Sequence, residues 1–289
     1  MSAPYILRTL EELRAWRSQT EPRARIGFVP TMGALHEGHL SLIRQARATC
    51  DITVVSIFVN PLQFGPKEDF SQYPRPFEKD LALLKAEGVD ALFAPLTEEF
   101  YHSDASTYVV EEKVAEPLCG AFRPGHYRGV ATVVLKLFNL IQPQRAFFGQ
   151  KDVQQCSVIE RMVRDLNVPV TVVRGATVRE ADGLALSSRN AYLSVNEREV
   201  APLIHRSMKA VEQAIRDGER DVQKLTLRGR ALLEAESAFQ IQYWEIRDPS
   251  NLNPLDRIGE RGALIAVAAY LGQTRLIDNI IMDNIIVCH

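Results

Sequence analysis

The stretch Pro30-Thr31-Met32-Gly33-Ala34-Leu35-His36-Glu37-Gly38-His39 decides how the rest of the chain is read. It follows the apolar run Ile26-Gly27-Phe28-Val29 and precedes Leu40, Leu42, Ile43 and Ala46, which recur at the spacing of one helix face. Two histidines three residues apart thus stand where a strand turns into a helix. The start of a helix offers backbone N–H groups and the positive end of the dipole, so such a turn favours an anion.

The histidine pair admits several readings, the simplest being two surface residues with no role. A zinc-protease helix needs histidines at i and i+4, whereas His36 and His39 stand at i and i+3. Gly33 and Gly38 have the glycine spacing of a P-loop, but His39 and Leu40 stand where Lys and Ser/Thr are required, and leucine has no hydroxyl for Mg²⁺. A G-x-G-x-x-G dinucleotide turn is absent from this stretch. The reading left is H-x-G-H at a helix N-terminus. There Gly38 lets a flat base or sugar lie against the backbone. Two imidazoles aimed at one point can donate hydrogen bonds to phosphate oxygens as charge builds.

Moving outward, the first half of the chain alternates between two periods. Residues 52–59 form a continuous β-branched and apolar run, the pattern of a strand buried on both faces. Residues 77–87 have helical spacing and end at Gly88; residues 89–94 read as a strand closed by Pro95. Residues 130–141 and 153–166 are helical, and short strands are expected at 146–148 and 170–173. This alternation predicts an α/β fold: a Rossmann-like parallel sheet with helices on both faces. After about residue 178 the pattern changes. The capping box Ser194-Val195-Asn196-Glu197 opens a helix expected to reach Asp217, where Gly218 stops it. A second helix over 222–236 and strands over 242–247 and 263–271 follow. The expected domains are therefore 1–178, Rossmann-like, and 179–289, a smaller α+β domain.

Composition narrows the function. The 289 residues carry 34 Lys plus Arg against 36 Asp plus Glu, a net charge of −2, with no basic cluster; a nucleic-acid partner is not expected. The cysteines, Cys50, Cys119, Cys156 and Cys288, form no C-x-x-C pair and are read as reduced thiols of a cytoplasmic protein. Charges interrupt the apolar N-terminal stretch, so it does not serve as a signal peptide, and no apolar run approaches the length of a membrane span.

Further polar stretches fall at strand ends or at the domain seam, where ligands of parallel sheets bind. They are Val59-Asn60-Pro61-Leu62-Gln63-Phe64, Arg123-Pro124-Gly125-His126-Tyr127-Arg128-Gly129, Phe148-Gly149-Gln150-Lys151-Asp152-Val153-Gln154-Gln155 and Asp182-Gly183-Leu184-Ala185-Leu186-Ser187-Ser188-Arg189-Asn190. H-x-G-H alone resembles the signature of the nucleotidyltransferase superfamily. With these stretches, a Tyr-Pro-Arg at 73–75 and a late Leu276-Ile277-Asp278-Asn279, the chain resembles the pantothenate synthetase family nearly end to end. The resemblance implies an AMP-forming ligase that uses ATP with Mg²⁺ and no tightly bound organic cofactor. Pantoate would attack the α-phosphorus of ATP to give pantoyl adenylate, and β-alanine would then displace AMP to give pantothenate, a coenzyme A precursor. It also implies a cytoplasmic homodimer with small-molecule substrates and no nucleic-acid or membrane partner.

By the same resemblance, Met32, Gly33, Ala34, Leu35, His36, Glu37, Gly38 and His39 contact ATP, with His39 as proton donor and His36 sharing that work. Gln63 and Gln155 match pantoate-binding amides, and Gln63 also matches the β-alanine site. A neutral amide orients a carboxylate without the charge of an arginine, which would lower its nucleophilicity. Gly149, Gln150, Lys151 and Asp152 match an ATP-contacting run with Lys151 on the phosphates. Val178 matches an adenine contact, and Leu186, Ser187, Ser188 and Arg189 match a loop closing over the triphosphate. No protein-held metal site is implied: Mg²⁺ would be held mainly by ATP, with Asp152 and Asp80 as possible ligands, and Arg128 is a further candidate. A dinucleotide-forming nucleotidyltransferase shares H-x-G-H but would not be expected to carry the paired glutamines. An RNA-binding module would need the basic surface this chain lacks.

Overall fold

A computed structural model describes residues 3–66 and 68–283; the expectation for Cys288 falls outside the described residues. In chain order the elements are β1 Tyr5–Leu7, α1 Leu10–Gln19, β2 Ile26–Thr31, α2 Glu37–Thr49, β3 Ile52–Ile57, α3 Phe77–Ala86, β4 Ala91–Phe93, α4 Thr97–Phe100, α5 Cys119–Phe122, α6 His126–Ile141, β5 Arg145–Gly149, α7 Val153–Asp165 and β6 Thr171–Gly175. They continue with α8 Val195–Val200, α9 Leu203–Arg216, α10 Val222–Glu234, β7 Phe239–Arg247, β8 Ala263–Leu271 and β9 Thr274–Met282. Two compact units result. Unit 1 comprises the chain up to Ala115 with Gly120–Gln150 and Gln154–Ala176; unit 2 comprises Glu116–Cys119, Lys151–Val153 and the chain from Thr177 on.

Unit 1 is the expected parallel sheet. Its order is β1-β4-β3-β2-β5-β6, and every pairing is parallel. Alternation along β2 and β5 covers both faces. Val29 and Phe147 pack with Leu40, Ile43 and Ala46 of α2, while Phe28 and Phe148 meet the Phe138 ring of α6 edge-on at 6.4 Å each. From β2 the chain moves outward through β3 and β4 on one side, and from β5 to β6 on the other. The order therefore reverses between β2 and β5, and a crevice forms at the carboxyl ends of two such strands. The sequence puts Met32 to His39 after one of them and Gln150 after the other.

Unit 2 is a three-stranded antiparallel sheet, β7-β8-β9, carrying α9 and α10. Trp244 of β7 is 1% exposed, and its Nε1–H donates to Ser207 Oγ at 3.0 Å. A Cβ at Gly229 of α10 would lie 2.2 Å from that indole, so this glycine sets the approach of helix and sheet. Two expectations need correction. The helix expected over 194–217 is broken into α8 and α9, because Pro202 has no N–H to continue the ladder and its ring clashes with the preceding turn. The strand β9 was not expected at all: its pattern places Asp278 and Asn279 in buried positions, which hides the alternation. Among the described residues no helix is long and apolar enough to cross a membrane.

Candidate active site

The turn after β2 is held from outside itself. Asp80 of α3, 1% exposed, accepts hydrogen bonds from Ala34 N and Leu35 N, both at 2.8 Å, one on each carboxylate oxygen. Thr31 Oγ1 donates to Ser56 O at 2.7 Å and accepts from Gly33 N at 3.1 Å. The backbone needs this support. Gly33 has φ +82°, and Ala34 has φ +50°, a conformation that costs a non-glycine residue about 1–2 kcal/mol. Burial pushes the Asp80 carboxyl above the ordinary aspartate range, against the pull of the two N–H donors. Both oxygens are thus turned to the loop, and Asp80 is placed as its anchor; of the two possible Mg²⁺ ligands, Asp152 is the exposed one.

Asp80→Asn puts an NH₂ group against one of these N–H donors. An unfolding free energy lower by about 1–3 kcal/mol is expected in urea titrations, the cost of leaving a buried donor unsatisfied. Because the native state holds the Asp80 proton more tightly than the unfolded chain, ionisation as pH rises costs stability. The deficit of the Asn variant is therefore measured at neutral pH and again below the aspartate range. It should change between the two.

His36 is the N-cap of α2. Its Nδ1 accepts from Gly38 N at 3.1 Å, while His39 Nδ1 accepts from His36 N at 3.3 Å. The rings lie 4.1 Å apart. This reciprocal cap fixes the chemistry of both side chains. A nitrogen that accepts a backbone N–H carries no proton, so the proton of each neutral ring sits on Nε2, and each ring presents an N–H donor. It also explains Gly38 more sharply than an approaching base does. A Cβ there would lie 2.9 Å from His36 Cε1 and displace the capping ring.

Gln63 sits in the 3-10 turn Pro61–Gln63 after β3. Its Nε2 donates to Met32 Sδ at 3.1 Å and its Oε1 accepts from Asn60 Nδ2 at 3.1 Å. Asn60, 1% exposed, caps the turn through Leu62 N, donates to Gly129 O at 3.2 Å and accepts from Tyr101 Oη at 3.0 Å. The turn's far end is held by the loop before α6: His126 Nδ1–H donates to Gln63 O at 2.7 Å, and Arg123 pairs with Glu68 at 2.6 Å. Residues 123–129 therefore support Gln63, which their sequence did not reveal; only the Asn-Pro start of a short helix could have pointed to Asn60. Arg128 is exposed and lies 4.7 Å above the Tyr108 ring.

Of the two glutamines on α7, Gln154 is structural. It is 3% exposed, accepts from Tyr127 Oη at 3.1 Å and donates to Val114 O at 2.9 Å. Gln155 is half-buried, with no side-chain hydrogen-bond partner among the described residues. Unit 1 thus places His36, His39, Gln63, Gly149, Gln150 and Gln155 after the carboxyl ends of β2, β3 and β5.

Unit 2 carries Lys151, Asp152, Val178 and Leu186 to Arg189. Residues 178–186 form a tight hairpin: Glu180 N donates to Leu184 O at 2.8 Å, Leu186 N to Val178 O at 3.0 Å, and Gly183 turns it at φ +99°. Arg198 braces it through Glu180 and Asp182, both at 2.6 Å. Ser187 then caps the short 3-10 helix Ser188–Tyr192, its Oγ accepting from Arg189 N at 3.3 Å. The loop matched to closure over the triphosphate is thus braced within unit 2.

With this geometry in hand, comparison places the chain. A profile of the family described as pantoate-beta-alanine ligase matches residues 5–281. The chain belongs to the pantoate-beta-alanine ligase family. A pantothenate synthetase of Thermotoga neapolitana is 52% identical over 281 residues, 96% of this chain and 99% of that protein. The crystal structure of pantothenate synthetase from Thermus thermophilus superposes with a TM-score of 0.91 at 49% identity, covering 96% of this chain and 98% of that one. A pantoate-beta-alanine ligase from Francisella tularensis, solved in complex with beta-gamma ATP and beta-alanine, follows at TM-score 0.80 and 32% identity, again over 96% and 98%. Membership over this length covers both units, the late Asp278-Asn279 included.

Proposed function

We infer that this chain joins pantoate to β-alanine at the expense of ATP, through a pantoyl adenylate. The reading is carried by the paired cap of His36 and His39 at the sheet's point of reversal, with the pinned amide of Gln63 after the adjacent strand. A pantoate carboxylate oxygen attacks the α-phosphorus, and the bond to pyrophosphate breaks. Negative charge grows on the phosphate oxygens as it does so. The Nε2–H groups of His36 and His39 are fixed donors for that charge, and fixed donors act without reorganisation. Gln63 and Gln155 hold pantoate by neutral amides, and Gln63 then meets β-alanine. The amine attacks the acyl carbon, the bond to the AMP oxygen breaks, and the amine loses its proton.

Lys151, Ser187, Ser188 and Arg189 are assigned to the phosphates. Lysine and an arginine fork suit β- and γ-phosphate oxygens, and hydroxyls complete their hydrogen bonding. Gly149 and Gln150 line the nucleotide after β5, and Val178 meets adenine through its backbone. The Mg²⁺ ion that accompanies ATP neutralises phosphate charge. Asp152, whose exposed carboxylate has no partner among the described residues, fits as its one protein ligand. The family resemblance further supports a homodimer in the cytoplasm, with no nucleic-acid or membrane partner.

The test is isotope exchange. Labelled pyrophosphate is expected to enter ATP when pantoate is present and β-alanine absent. Exchange that appears only once the amine is added would mean that no adenylate forms before it arrives.

A further inference from the structure

Two adjacent residues of β9 have no part in the reaction as described, yet both are buried: Asp278 is 5% and Asn279 4% exposed. Successive strand residues face opposite sides of a sheet, so the two side chains reach different segments. Asn279 Nδ2 donates to the backbone carbonyl of Lys151 at 2.8 Å. Asp278 takes Arg179 in a two-pronged pair, with Nη1 on Oδ2 at 2.5 Å and Nη2 on Oδ1 at 2.9 Å. Arg179 Nη1 also donates to Gly183 O at 3.1 Å, at the tip of the hairpin that leads into Ser187. Asn279 N donates to Asp278 Oδ1 at 2.8 Å, which locks the two anchors to each other.

We propose that Asp278 and Asn279 are positioning residues for the nucleotide step: Asn279 sets the main chain of Lys151, and Asp278, through Arg179, sets the loop that carries Ser187 to Arg189. This rests on the phosphate roles assigned above to Lys151 and that loop. The chemistry explains why side chains do this work. Lys151 lies in the 3-10 turn Gln150–Asp152, whose short length leaves carbonyls without ladder partners. A side-chain amide donor satisfies one of them and fixes where the lysine stem begins. Lys151 Nζ itself has no hydrogen-bond or ion-pair partner among the described residues, so the hydrogen bond at its carbonyl bears on where the ammonium can reach. An ammonium that starts from a displaced carbon misses its phosphate oxygen, and misplacement of about 1 Å can cost roughly a hundredfold in rate.

The experiment is a double-mutant cycle on pantoate-dependent pyrophosphate exchange, with Asn279→Ala, Lys151→Ala and the pair, in the full-length protein. Asn279→Ala is expected to lower kcat/KM for ATP by about tenfold or more while KM for pantoate stays within about twofold. In the Lys151→Ala background the same change should add almost no further loss, because the group it positions is gone. Asp278→Asn should also act on ATP and not on pantoate. If Asn279→Ala fails to fold by circular dichroism, Asn279→Ser, which keeps a shorter donor, replaces it in the cycle. Losses that multiply independently, or that fall equally on both substrates, would make Asn279 a general support of the fold and overturn the proposal while leaving the phosphate role of Lys151 intact. A Lys151→Ala enzyme with undiminished use of ATP would instead remove the phosphate role, and the proposal with it.

Discussion

Replacing His39 by alanine is expected to slow pantoate-dependent pyrophosphate exchange by roughly a hundredfold to a thousandfold, the effect of losing one fixed donor worth about 2.7–4 kcal/mol in the transition state. ATP affinity, measured at equilibrium, should fall far less, since the hydrogen bond matters most as charge develops. The same change removes the acceptor for His36 N, observed at 3.3 Å. A loss of about 0.5–2 kcal/mol in unfolding free energy should therefore accompany it. The two effects separate by a second variant. In His39→Gln the side-chain amide N–H can stand near the place of Nε2, but no acceptor remains at the place of Nδ1. Partial recovery of exchange without recovery of stability is the expected pattern. An alanine variant within about threefold of the parent enzyme, less than roughly 1 kcal/mol of barrier, would make His39 a capping residue only.

The second large effect lies away from the histidines. A methyl group at Gly129 would stand 2.3 Å from Leu62 O and 2.7 Å from Gln63 N. Both obstacles are backbone, so nothing flexible can move aside. The turn Pro61–Gln63 must shift, and with it the Gln63 amide now held by Met32 and Asn60. Gly129→Ala is expected to cost about 1–3 kcal/mol of stability, as overpacking does. It is also expected to reduce kcat/KM for pantoate by about a hundredfold, as a misplaced orienting group does. Equilibrium binding of ATP should be nearly unchanged. Calorimetry with each substrate separately checks this. A variant that binds pantoate as the parent does would show that the turn tolerates the shift and that Gln63 does not position it.

These two positions differ in how far the sequence reveals them. His36 and His39 are legible because strand, turn and helix follow one another within twenty residues, and the alternation of periods that gave the parallel sheet also placed them at a strand end. The reason for Gly129 is not legible. Asn60, which joins the turn to α6 and to Tyr101, makes those contacts across 69 and 41 residues of chain, and no local pattern encodes a pairing at such a distance. The residues 123–129 look like a basic binding loop because they hold arginine and histidine. In the structure Arg123 and His126 are spent on Glu68 and on the carbonyl of Gln63. Similarly, Asp80, by resemblance a possible Mg²⁺ ligand, accepts from the backbone N–H groups of Ala34 and Leu35, a role no local pattern encodes. The strand β9 is not legible in the sequence because buried Asp278 and Asn279 interrupt its apolar pattern. His126, Asp80 and Asn279 each do their work through the main chain of another residue.

In the reaction proposed above, pantoate is activated through its carboxylate at the α-phosphorus of ATP. Pantoate labelled with ¹⁸O in the carboxylate tests it most directly, with β-alanine and unlabelled ATP, and with mass analysis of the products. If the carboxylate oxygen forms the bond to phosphorus and that bond survives amide formation, AMP leaves carrying one ¹⁸O per molecule, and pyrophosphate carries none. Label recovered in inorganic phosphate, or AMP free of label, would contradict the adenylate and with it the role assigned here to His36 and His39.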